Sequence, residues 1–266
     1  MSVMQHTPSV APPLKWAGGK RWLVPTLRPI WSRYAQRPFV EPFVGGMAVA
    51  LGLRPTAALL NDTNAHLINF YSWLQRGLVI TIEMANNKDL YYQHRRRFNA
   101  LIQDGGEHTA EAASLFYYLN RTGFNGLCRF NSRGEFNVPF GRYTTINYTT
   151  DFRAYTATLQ GWQFKTGDFT KLTLSADTFI YADPPYDVEF TAYSPGGFSW
   201  QDQQRFARWL SRHPGPIVAS NQATERILDL YQGLGFETTT LAAPRLIASN
   251  GDRTRAQEML ATKGCD

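Results

Sequence analysis

Short apolar runs that end in turn-forming residues recur along the chain, and most of them are separated by stretches with helix-like spacing of apolar positions. Runs of this kind predict β-strands. Seven strands are predicted, over Phe39–Glu41, Ala57–Asn61, Trp162–Thr166, Thr178–Ala182, Pro216–Ser220, Phe236–Leu241 and Gln257–Thr262. Strands that alternate with helices are typical of parallel βαβ units, so the pattern predicts an α/β fold.

The last two predicted strands differ from the others in their connection. Residues 242–256 are too few for a comfortable crossover helix, which a parallel connection normally contains. We therefore expect these two strands to pair antiparallel, with the last strand reversed in a seven-stranded sheet.

A long segment interrupts the alternation between the second and third strands. It runs from His66 to Gly161, whereas a βαβ crossover needs only about 10–12 residues. The segment predicts an inserted domain that is helical over Ile80–Gln103 and Ala110–Leu119. Aromatic and asparagine-rich runs follow and flank a hairpin-like turn at Asn131–Gly134.

The charge distribution favours a polyanionic partner. The chain has 266 residues, is 43% hydrophobic and carries a net charge of +6, which is compatible with binding to nucleic acid. Basic residues form a run at 94–97 and recur among aromatic residues at Arg121, Arg129, Arg133 and Arg142. A solvated helix face is an equally good interpretation of the first run.

Several other classes of protein are not expected. Cys128 and Cys265 are the only cysteines and lie far apart, so we expect neither a disulfide framework nor a metal site. A reducing cytoplasm is the simplest location. No apolar stretch approaches the roughly 20 residues of a membrane span, and no signal-peptide pattern opens the chain. We expect a soluble protein without membrane or metal.

The motif DPPY at residues 183–186 follows the apolar run of the fourth predicted strand. Proline cannot continue a strand ladder, so the motif predicts a rigid turn at the carboxyl end of a strand, where α/β folds bind ligands. Asp183 and a prolyl carbonyl can accept both N–H bonds of a planar amine while Tyr186 stacks on its ring. Adenine fits this description. A proline-punctuated turn with a capping aspartate is the alternative.

Two further motifs indicate a nucleoside site. EPFVGG at residues 41–46 follows the first strand and precedes an apolar helical run, Met47–Leu53; glycines there allow a ligand to approach the backbone, and Asp62 stands where such folds place a ribose-binding carboxylate. A plain turn is the alternative. KWAGGK occupies residues 15–20: either it starts a helix and exposes Lys20, or Trp16 and the glycines wall a small-molecule site while Lys20 meets a carboxylate.

KWAGGK, EPFVGG, NRTGFNGLCRFNSRGEFNVPFGRY at 120–143 and DPPY, in that order, resemble the motifs of Dam-type DNA adenine-N6 methyltransferases of the alpha class, the D12 family. The similarity spans roughly Pro13 to Thr262. It implies a Rossmann-like fold that uses S-adenosylmethionine. It further implies a catalytic domain of residues 1–65 and 155–266, and a mainly helical target-recognition domain over 66–154 that carries a β-hairpin.

The resemblance assigns a catalytic motif and a cofactor site. Asp183, Pro184 and Tyr186 match the catalytic motif. Residues expected at the cofactor are Trp16, Ala17, Gly18, Lys20, Glu41, Phe43, Gly45, Gly46, Asp62, Asp168, Phe169 and Asp183. A helix N-cap is an equally good interpretation of Asp168. The family commonly has a third glycine where this chain has Met47, and we expect that side chain to pack beneath the pocket.

The resemblance also assigns a DNA interface. Residues expected there are Lys15, Arg95, Arg96, Arg121, Phe124, Asn125, Leu127, Arg129, Arg133, Pro139, Tyr143 and Asn250. The side-chain amide of Asn125 and the planar guanidinium of Arg129 have the geometry to pair with base edges in the major groove. Phe124 is expected to wedge where a base is displaced, whereas the other arginines suit phosphates.

The implied reaction is methylation of adenine N6 in double-stranded DNA, within GATC, after the base is flipped out of the duplex. A monomer acting on DNA in the cytoplasm of a prokaryotic or phage-infected cell is expected. A DNA-binding regulator that has lost catalysis is one alternative, and methylation of cytosine N4 or of a protein amide is another. Asp183 favours adenine, because the related enzymes for those targets more often carry serine or asparagine at that position.

Overall fold

The computed structural model describes residues 10–186, 197–243 and 256–265, and these contain a seven-stranded sheet. Its strands are β1 (Phe39–Glu41), β2 (Ala58–Asp62), β3 (Trp162–Thr166), β4 (Phe179–Ala182), β5 (Ile217–Gln222), β6 (Glu237–Ala243) and β7 (Ala256–Lys263). The order across the sheet is β3-β2-β1-β4-β5-β7-β6. β7 runs antiparallel to both neighbours, whereas the other pairs are parallel. The α/β class, the strand count and the reversed last strand are confirmed.

From β1 the chain continues to β2 and β3 on one side of the sheet, and from β4 it continues to β5 on the other side. β1 lies beside β2 on one side and beside β4 on the other, with Phe39 opposite Phe179 and Val40 opposite Ile180. Both strands are buried throughout, as expected for the centre of a parallel sheet. The turns that follow two such strands diverge and leave a crevice at their carboxyl ends, which is the usual ligand site of this architecture.

Helices cover the sheet and fill most of the segment between β2 and β3. They are α1 (Val24–Ser32), α2 (Ala48–Leu53), α3 (Ala65–Gln75), α4 (Lys88–Gln103), α5 (Ala110–Thr122), α6 (Arg153–Thr158), α7 (Trp200–Ser211) and α8 (Glu225–Gly233). In the part of the chain that the structure describes, none of them is both long enough and apolar enough to cross a membrane.

The start predicted for the first helix of the insertion is wrong. Helix α4 begins at Lys88 and not at Ile80, because the side chain of Asn87 accepts a hydrogen bond from the Leu90 amide at 3.0 Å and caps the helix there. The preceding residues follow an irregular path in which the Ala85 carbonyl accepts a hydrogen bond from the Tyr118 hydroxyl. Apolar spacing alone did not distinguish this docked segment from a helical turn.

The hydrophobic core of the insertion is continuous with that of the sheet. One buried cluster contains Phe39 and Leu60 of the sheet together with Phe116 and Tyr118 of α5. The rings of Phe70 on α3 and Tyr117 on α5 stack with centroids 5.6 Å apart. The insertion therefore shares its packing with the sheet, and α3, at the predicted boundary, connects the two.

The predicted hairpin turn forms, but its arms pair only briefly. The amide of Asn131 donates to the Glu135 carbonyl, and the amide of Gly134 donates to the Asn131 carbonyl, both at 2.9 Å. Single antiparallel bridges join Phe130 to Phe136 and Gly123 to Phe140. Among the described residues the hairpin thus consists of isolated bridges and not of a continuous two-stranded ladder.

Candidate active site

Asp183 lies at the carboxyl end of β4, where β4 and β5 hold its carboxylate in place. The Ser220 hydroxyl donates to Asp183 Oδ1 at 3.0 Å, and the Tyr181 hydroxyl lies 2.8 Å from Ser220 Oγ. Both of these supporting side chains are buried. Asp183 itself keeps 19% of its side chain exposed. The Asp183 carboxylate is therefore held in place by Ser220, while part of its side chain stays exposed.

The ammonium group of Lys20 lies against Asp183. Its Nζ is 2.9 Å from Asp183 Oδ1 and donates to Oδ2 at 2.9 Å and to the Tyr186 hydroxyl at 2.7 Å. Lys20 is only 4% exposed, so it does not project into solvent at a helix start. Burial lowers the pKa of Lys20, but the charges of Asp183 and Glu258 outweigh burial and raise the pKa above its ordinary value.

Glu258 on β7 completes this cluster, and sequence reasoning missed it. Its Oε1 lies 3.2 Å from Lys20 Nζ and accepts a hydrogen bond from the Tyr186 hydroxyl at 2.6 Å. Burial raises the pKa of Glu258, and the neighbouring Lys20 charge opposes that shift. The available signal was a carboxylate next to the apolar residues Met259–Ala261, because a charge in a buried strand needs a partner.

Two buried amides hold the proline turn. Gln203 of α7 donates from Nε2 to the Pro185 carbonyl at 2.7 Å, and Asn221 of β5 donates from Nδ2 to Gln203 Oε1 at 3.1 Å. Both amide side chains are fully buried. Neither residue was predicted, since a lone amide in a helix or strand gives no sequence signal. Together they make the turn rigid beyond what its prolines impose.

The glycine turn after β1 packs directly on Trp16. A Cβ atom added at Gly45 would lie 2.7 Å from Trp16 Nε1, and one added at Gly46 would lie 2.9 Å from Trp16 Cβ. Gly45 also has a φ of +44°, a conformation that favours glycine. The structure thus brings three of the predicted cofactor residues together and gives the physical reason for both glycines.

Asp62 fixes the same turn from β2. It is the last residue of that strand; the sequence had placed it just beyond. Its Oδ2 accepts a hydrogen bond from the Gly45 amide at 3.0 Å and its Oδ1 accepts one from the Asn64 amide at 3.0 Å. Burial raises the pKa of Asp62 despite these bonds. The Thr63 amide is a third backbone donor to Asp62, and a carboxylate with about four lone-pair sites still has one for a ligand hydroxyl.

Glu41 has a buried side-chain oxygen without a hydrogen-bond partner among the described residues. Glu41 is the last residue of β1 and 3% exposed, and the unpaired atom is Oε2. Burial, together with the charges of Asp183 and Asp62, raises the pKa of Glu41 well above its ordinary value. Buried polar atoms are normally paired, so this oxygen fits a ligand with a cationic or N–H donor, such as the amino group of S-adenosylmethionine.

Met47 packs within the hydrophobic core, where its side chain is fully buried. Its backbone has a φ of +59°, in the left-handed region that glycine adopts at lower cost than other residues. This conformation explains why a glycine suits the position, and the buried thioether offsets the strain.

Asp168 and Phe169 are engaged with protein neighbours. Asp168 caps the short 3₁₀ turn Phe169–Lys171 by accepting the Thr170 amide at 2.9 Å. It also forms an ion pair with Arg205 at 2.9 Å, whose hydrogen bond lowers the pKa of Asp168 to about 2. The capping interpretation describes this geometry, while contact with a cofactor stays a prediction.

The apolar wall beside this turn consists of aromatic rings. Phe169 packs against Phe43 with centroids 5.8 Å apart and against Phe206 at 4.9 Å. Phe43 follows the end of β1, so the ring cluster borders the glycine turn. The rings are tilted or edge-on to one another, and Phe43 is the member of the three that stays partly exposed, so its ring is the apolar surface that an aromatic base could reach.

Asn120 ties the KWAGGK segment to the insertion. Its Oδ1 accepts the Lys15 amide at 2.8 Å, and its Nδ2 donates to the carbonyls of Lys15 at 2.8 Å and Gly126 at 3.1 Å. Lys15 Nζ lies 3.4 Å from the centroid of the Tyr143 ring. Burial, and then the charge of Arg121, lowers the pKa of Lys15 to about 8. Sequence reasoning missed Asn120, although it opens the motif at 120–143.

The residues predicted to read bases share one surface of the insertion. Phe124 is 40% exposed, and its amide donates to the Pro139 carbonyl at 2.9 Å. Asn125 is exposed with a φ of +52°. Arg129 donates from Nε to Asn137 Oδ1 at 2.7 Å, which fixes the stem of the guanidinium. Leu127 and Tyr143 are half-buried in the same loop.

The arginines predicted at phosphates are arranged in different ways. Arg95 donates to the Val138 carbonyl at 3.0 Å and Arg121 donates to the Asn147 carbonyl at 3.0 Å, so both brace the loop. Arg96 and Arg133 are exposed. Asn250 lies outside the described residues. Within the described ranges, no group of three or more His, Cys, Asp or Glu side chains is placed to hold a metal ion.

Comparison with known proteins covers almost the whole chain. The family model for D12 class N6 adenine-specific DNA methyltransferases matches residues 16–244. The DNA adenine methylase of Haemophilus influenzae is 34% identical over 95% of this chain and 93% of its own, and that of Escherichia coli K12 is 33% identical over 93% of each. The DNA N-6-adenine-methyltransferase of Escherichia phage P1 is 34% identical over 90% of this chain but 33% of its own.

Proposed function

This chain belongs to the D12 class of N6 adenine-specific DNA methyltransferases, and from that premise we propose that it uses S-adenosylmethionine to methylate an adenine flipped out of duplex DNA. The observation that carries the proposal is the position of Asp183. Its carboxylate lies at the crevice where the sheet changes winding, fixed by Ser220 and open on one side. That is where a planar amine can meet both an acceptor and a methyl donor.

The chemical task of the site is to make a poor nucleophile react. The lone pair of adenine N6 is delocalised into the ring. Two acceptors, the Asp183 carboxylate and the Pro184 carbonyl, bind both N–H groups and favour the pyramidal nitrogen whose lone pair is free to attack. Because Ser220 already holds the Asp183 carboxylate, the acceptor keeps its position when the amine arrives. The proton leaves after the transfer, so Asp183 need not be a strong base.

When bound, S-adenosylmethionine supplies an electrophilic methyl group. Glu41 offers its unpaired buried oxygen to the amino group, and Asp62 offers acceptor lone pairs to the ribose hydroxyls. Phe43 offers its partly exposed ring to the adenine of the cofactor, and the buried ring of Phe169 packs against it. Other residues proposed at the cofactor are Trp16, Ala17, Gly18, Lys20, Gly45, Gly46 and Asp168.

Residues 66–154 form the target-recognition part of the protein in this proposal, and residues 1–65 with 155–266 form the catalytic part. The surface of Phe124, Asn125 and Arg129 meets bases, since guanidinium and amide groups pair with base edges in the major groove. Phe124 fills the gap that a flipped base leaves. GATC is the proposed target, supported by the match of residues 120–143 to the family motif.

A labelling experiment tests the proposal. S-adenosylmethionine with a labelled methyl group is incubated with the protein and with duplexes that contain GATC, a scrambled site, or no adenine, and the products are digested to nucleosides. N6-methyladenine from the GATC duplex alone is expected. Label in N4-methylcytosine or in protein would identify another substrate. Binding of DNA without any label would indicate a regulator that has lost catalysis.

A further inference from the structure

We propose that Glu258 is a positioning residue for methyl transfer, which anchors Lys20 and Tyr186 so that Asp183 is available to the incoming amine. The inference rests on the proposed function. It concerns a residue outside the catalytic motif, on a strand where Glu258 lies 72 residues beyond Tyr186.

The reversed direction of β7 explains why Glu258 reaches the site. In a parallel sheet only the carboxyl ends of strands meet at the ligand-binding edge. β7 is antiparallel to β5, and Glu258 lies opposite Gln222, the last residue of β5. The beginning of β7 therefore lies at the same edge as the end of β4. The one reversed strand delivers a carboxylate from near the end of the chain to the catalytic turn.

Two carboxylates share the charge of one ammonium group in this cluster. Asp183 and Glu258 contribute two negative charges around the single ammonium of Lys20, which lies 2.9 Å from one and 3.2 Å from the other. Lys20 and Glu258 are almost fully buried. A buried charge without a partner is strongly unfavourable, so Lys20 must stay paired throughout any reaction at this site.

The same contacts create a conflict that Glu258 resolves. Lys20 is bonded to Asp183 Oδ2, an acceptor that the substrate amine requires. With Glu258 within 3.2 Å, the ammonium stays paired on that carboxylate while Asp183 accepts the amine. Without the charge of Glu258, Asp183 would be the one carboxylate left beside the ammonium, which would then compete with the substrate amine for it.

Glu258 also determines the position of Tyr186. The Tyr186 hydroxyl donates to Glu258 Oε1 at 2.6 Å and accepts from Lys20 Nζ at 2.7 Å. The ring is thereby held at its outer end as well as through its backbone. A stacking ring that is fixed in advance loses less freedom when the base binds.

Variants at Glu258 and Lys20 test the inference through their coupling. We expect Glu258→Gln to lower the single-turnover transfer rate at saturating DNA and cofactor by about 10–100-fold, as small misplacements in an active site do, while the Kd for DNA changes little. If Glu258 acts mainly through Lys20, the further loss that Glu258→Gln causes should be much smaller in a Lys20→Met background than in the wild type, and the remainder reports the contact with Tyr186. Multiplying losses would overturn the inference, as would a wild-type rate in Glu258→Gln.

The matched control and the conservative variant exclude a purely structural effect. Glu237→Gln removes an exposed carboxylate from the adjacent strand β6 and should leave the rate unchanged. Glu258→Asp keeps the charge and should recover part of the rate lost in Glu258→Gln. A rate for Glu258→Asp no higher than that of Glu258→Gln, at equal thermal stability, would overturn the inference. If Glu258→Gln fails to fold, the double variant Glu258→Asp/Lys20→Met is measured instead. Wild-type activity in that variant would overturn the inference.

Chemical modification of Lys20 gives a readout that does not require methyl transfer. Reductive methylation followed by mass spectrometry should leave Lys20 protected in the wild type and modify it at least about tenfold faster in Glu258→Gln, because the ammonium loses one of its two carboxylates. Equal protection would overturn the inference. If the wild-type protein labels no adenine, the proposed function is wrong. The modification rates would still decide whether Glu258 anchors Lys20.

Discussion

The proposed catalytic edge of the sheet and the proposed recognition surface of the insertion are built in opposite ways. At the edge, Asp183, Lys20 and Glu258 come from three distant parts of the chain, and the ammonium of Lys20 contacts both carboxylates. On the recognition surface, residues 123–143 are close in sequence, their backbones are braced, and the tips of Phe124 and Asn125 are exposed.

The difference follows from what each region must do. Chemistry needs charges held in a fixed geometry away from water, which only a packed scaffold provides. Reading a sequence needs donors and apolar groups that protrude far enough to reach base edges. A substitution at the edge should therefore change rate, whereas one on the recognition surface should change the choice of DNA.

Asp183→Ala should give the largest effect and separates the two regions most sharply. We expect methylation to fall by about 10³-fold or more, because the acceptor that prepares the amine is lost. DNA binding should change little, since Asp183 is not among the residues proposed to contact bases or phosphates. Rates are measured in single turnovers and binding by a filter or anisotropy assay. Asp183→Asn, which keeps the shape, is the matched control for packing, and loss of binding together with activity would point to misfolding.

Asn120→Ala tests the connection between the two regions. The side chain makes three hydrogen bonds to Lys15 and Gly126, and its loss leaves buried backbone groups unpaired. We expect the free energy of unfolding to fall by about 3 kcal/mol. Chemical denaturation measures this value, and Asn147→Ala, at an exposed position, is the control. An unchanged free energy of unfolding would mean that water replaces these bonds easily.

Arg129→Ala addresses the recognition surface alone. Its guanidinium is positioned by Asn137, which is the arrangement expected for a bidentate base contact, so discrimination at one base pair should weaken by about 1–3 kcal/mol. Competition binding with GATC and with singly substituted duplexes measures this. Arg133→Ala, on the exposed turn, should weaken binding to all sequences alike. An equally uniform loss for Arg129→Ala would reassign that residue to phosphate.

Lys15 should give the smallest effect, and it depends on pH. Its pKa is lowered to about 8, so the ammonium is charged at pH 7 and mostly neutral at pH 9. A contact to DNA that needs the charge would then weaken as pH rises through 8, by at most about tenfold at pH 9. Binding of the wild type at the two pH values is compared with that of Lys15→Ala. A parallel decline in the variant would assign the pH dependence to another group.

The sequence predicted most of the fold and much of the site, and its errors have common causes. Strand ends at β1 and β3 agree with the structure, because prolines and glycines mark turns locally. The start of α4 was placed eight residues too early, since the capping contact of Asn87 competes with an apolar pattern that continues before it. Glu258, Gln203, Asn221 and Asn120 were missed because each acts through a partner far away in the sequence.

By itself the sequence determined the sheet, its reversed last strand and the family. Apolar periodicity and short motifs depend on residues that are neighbours in the chain, so they can be identified without any tertiary contact. The tertiary structure alone decided that Lys20 pairs with Asp183 and not with solvent, and that Glu258 shares that ammonium. It also decided that Asn120 joins the first motif to the insertion. The physical reason is the same in each case: a buried polar group is defined by its partner, and partners meet only when the chain is folded.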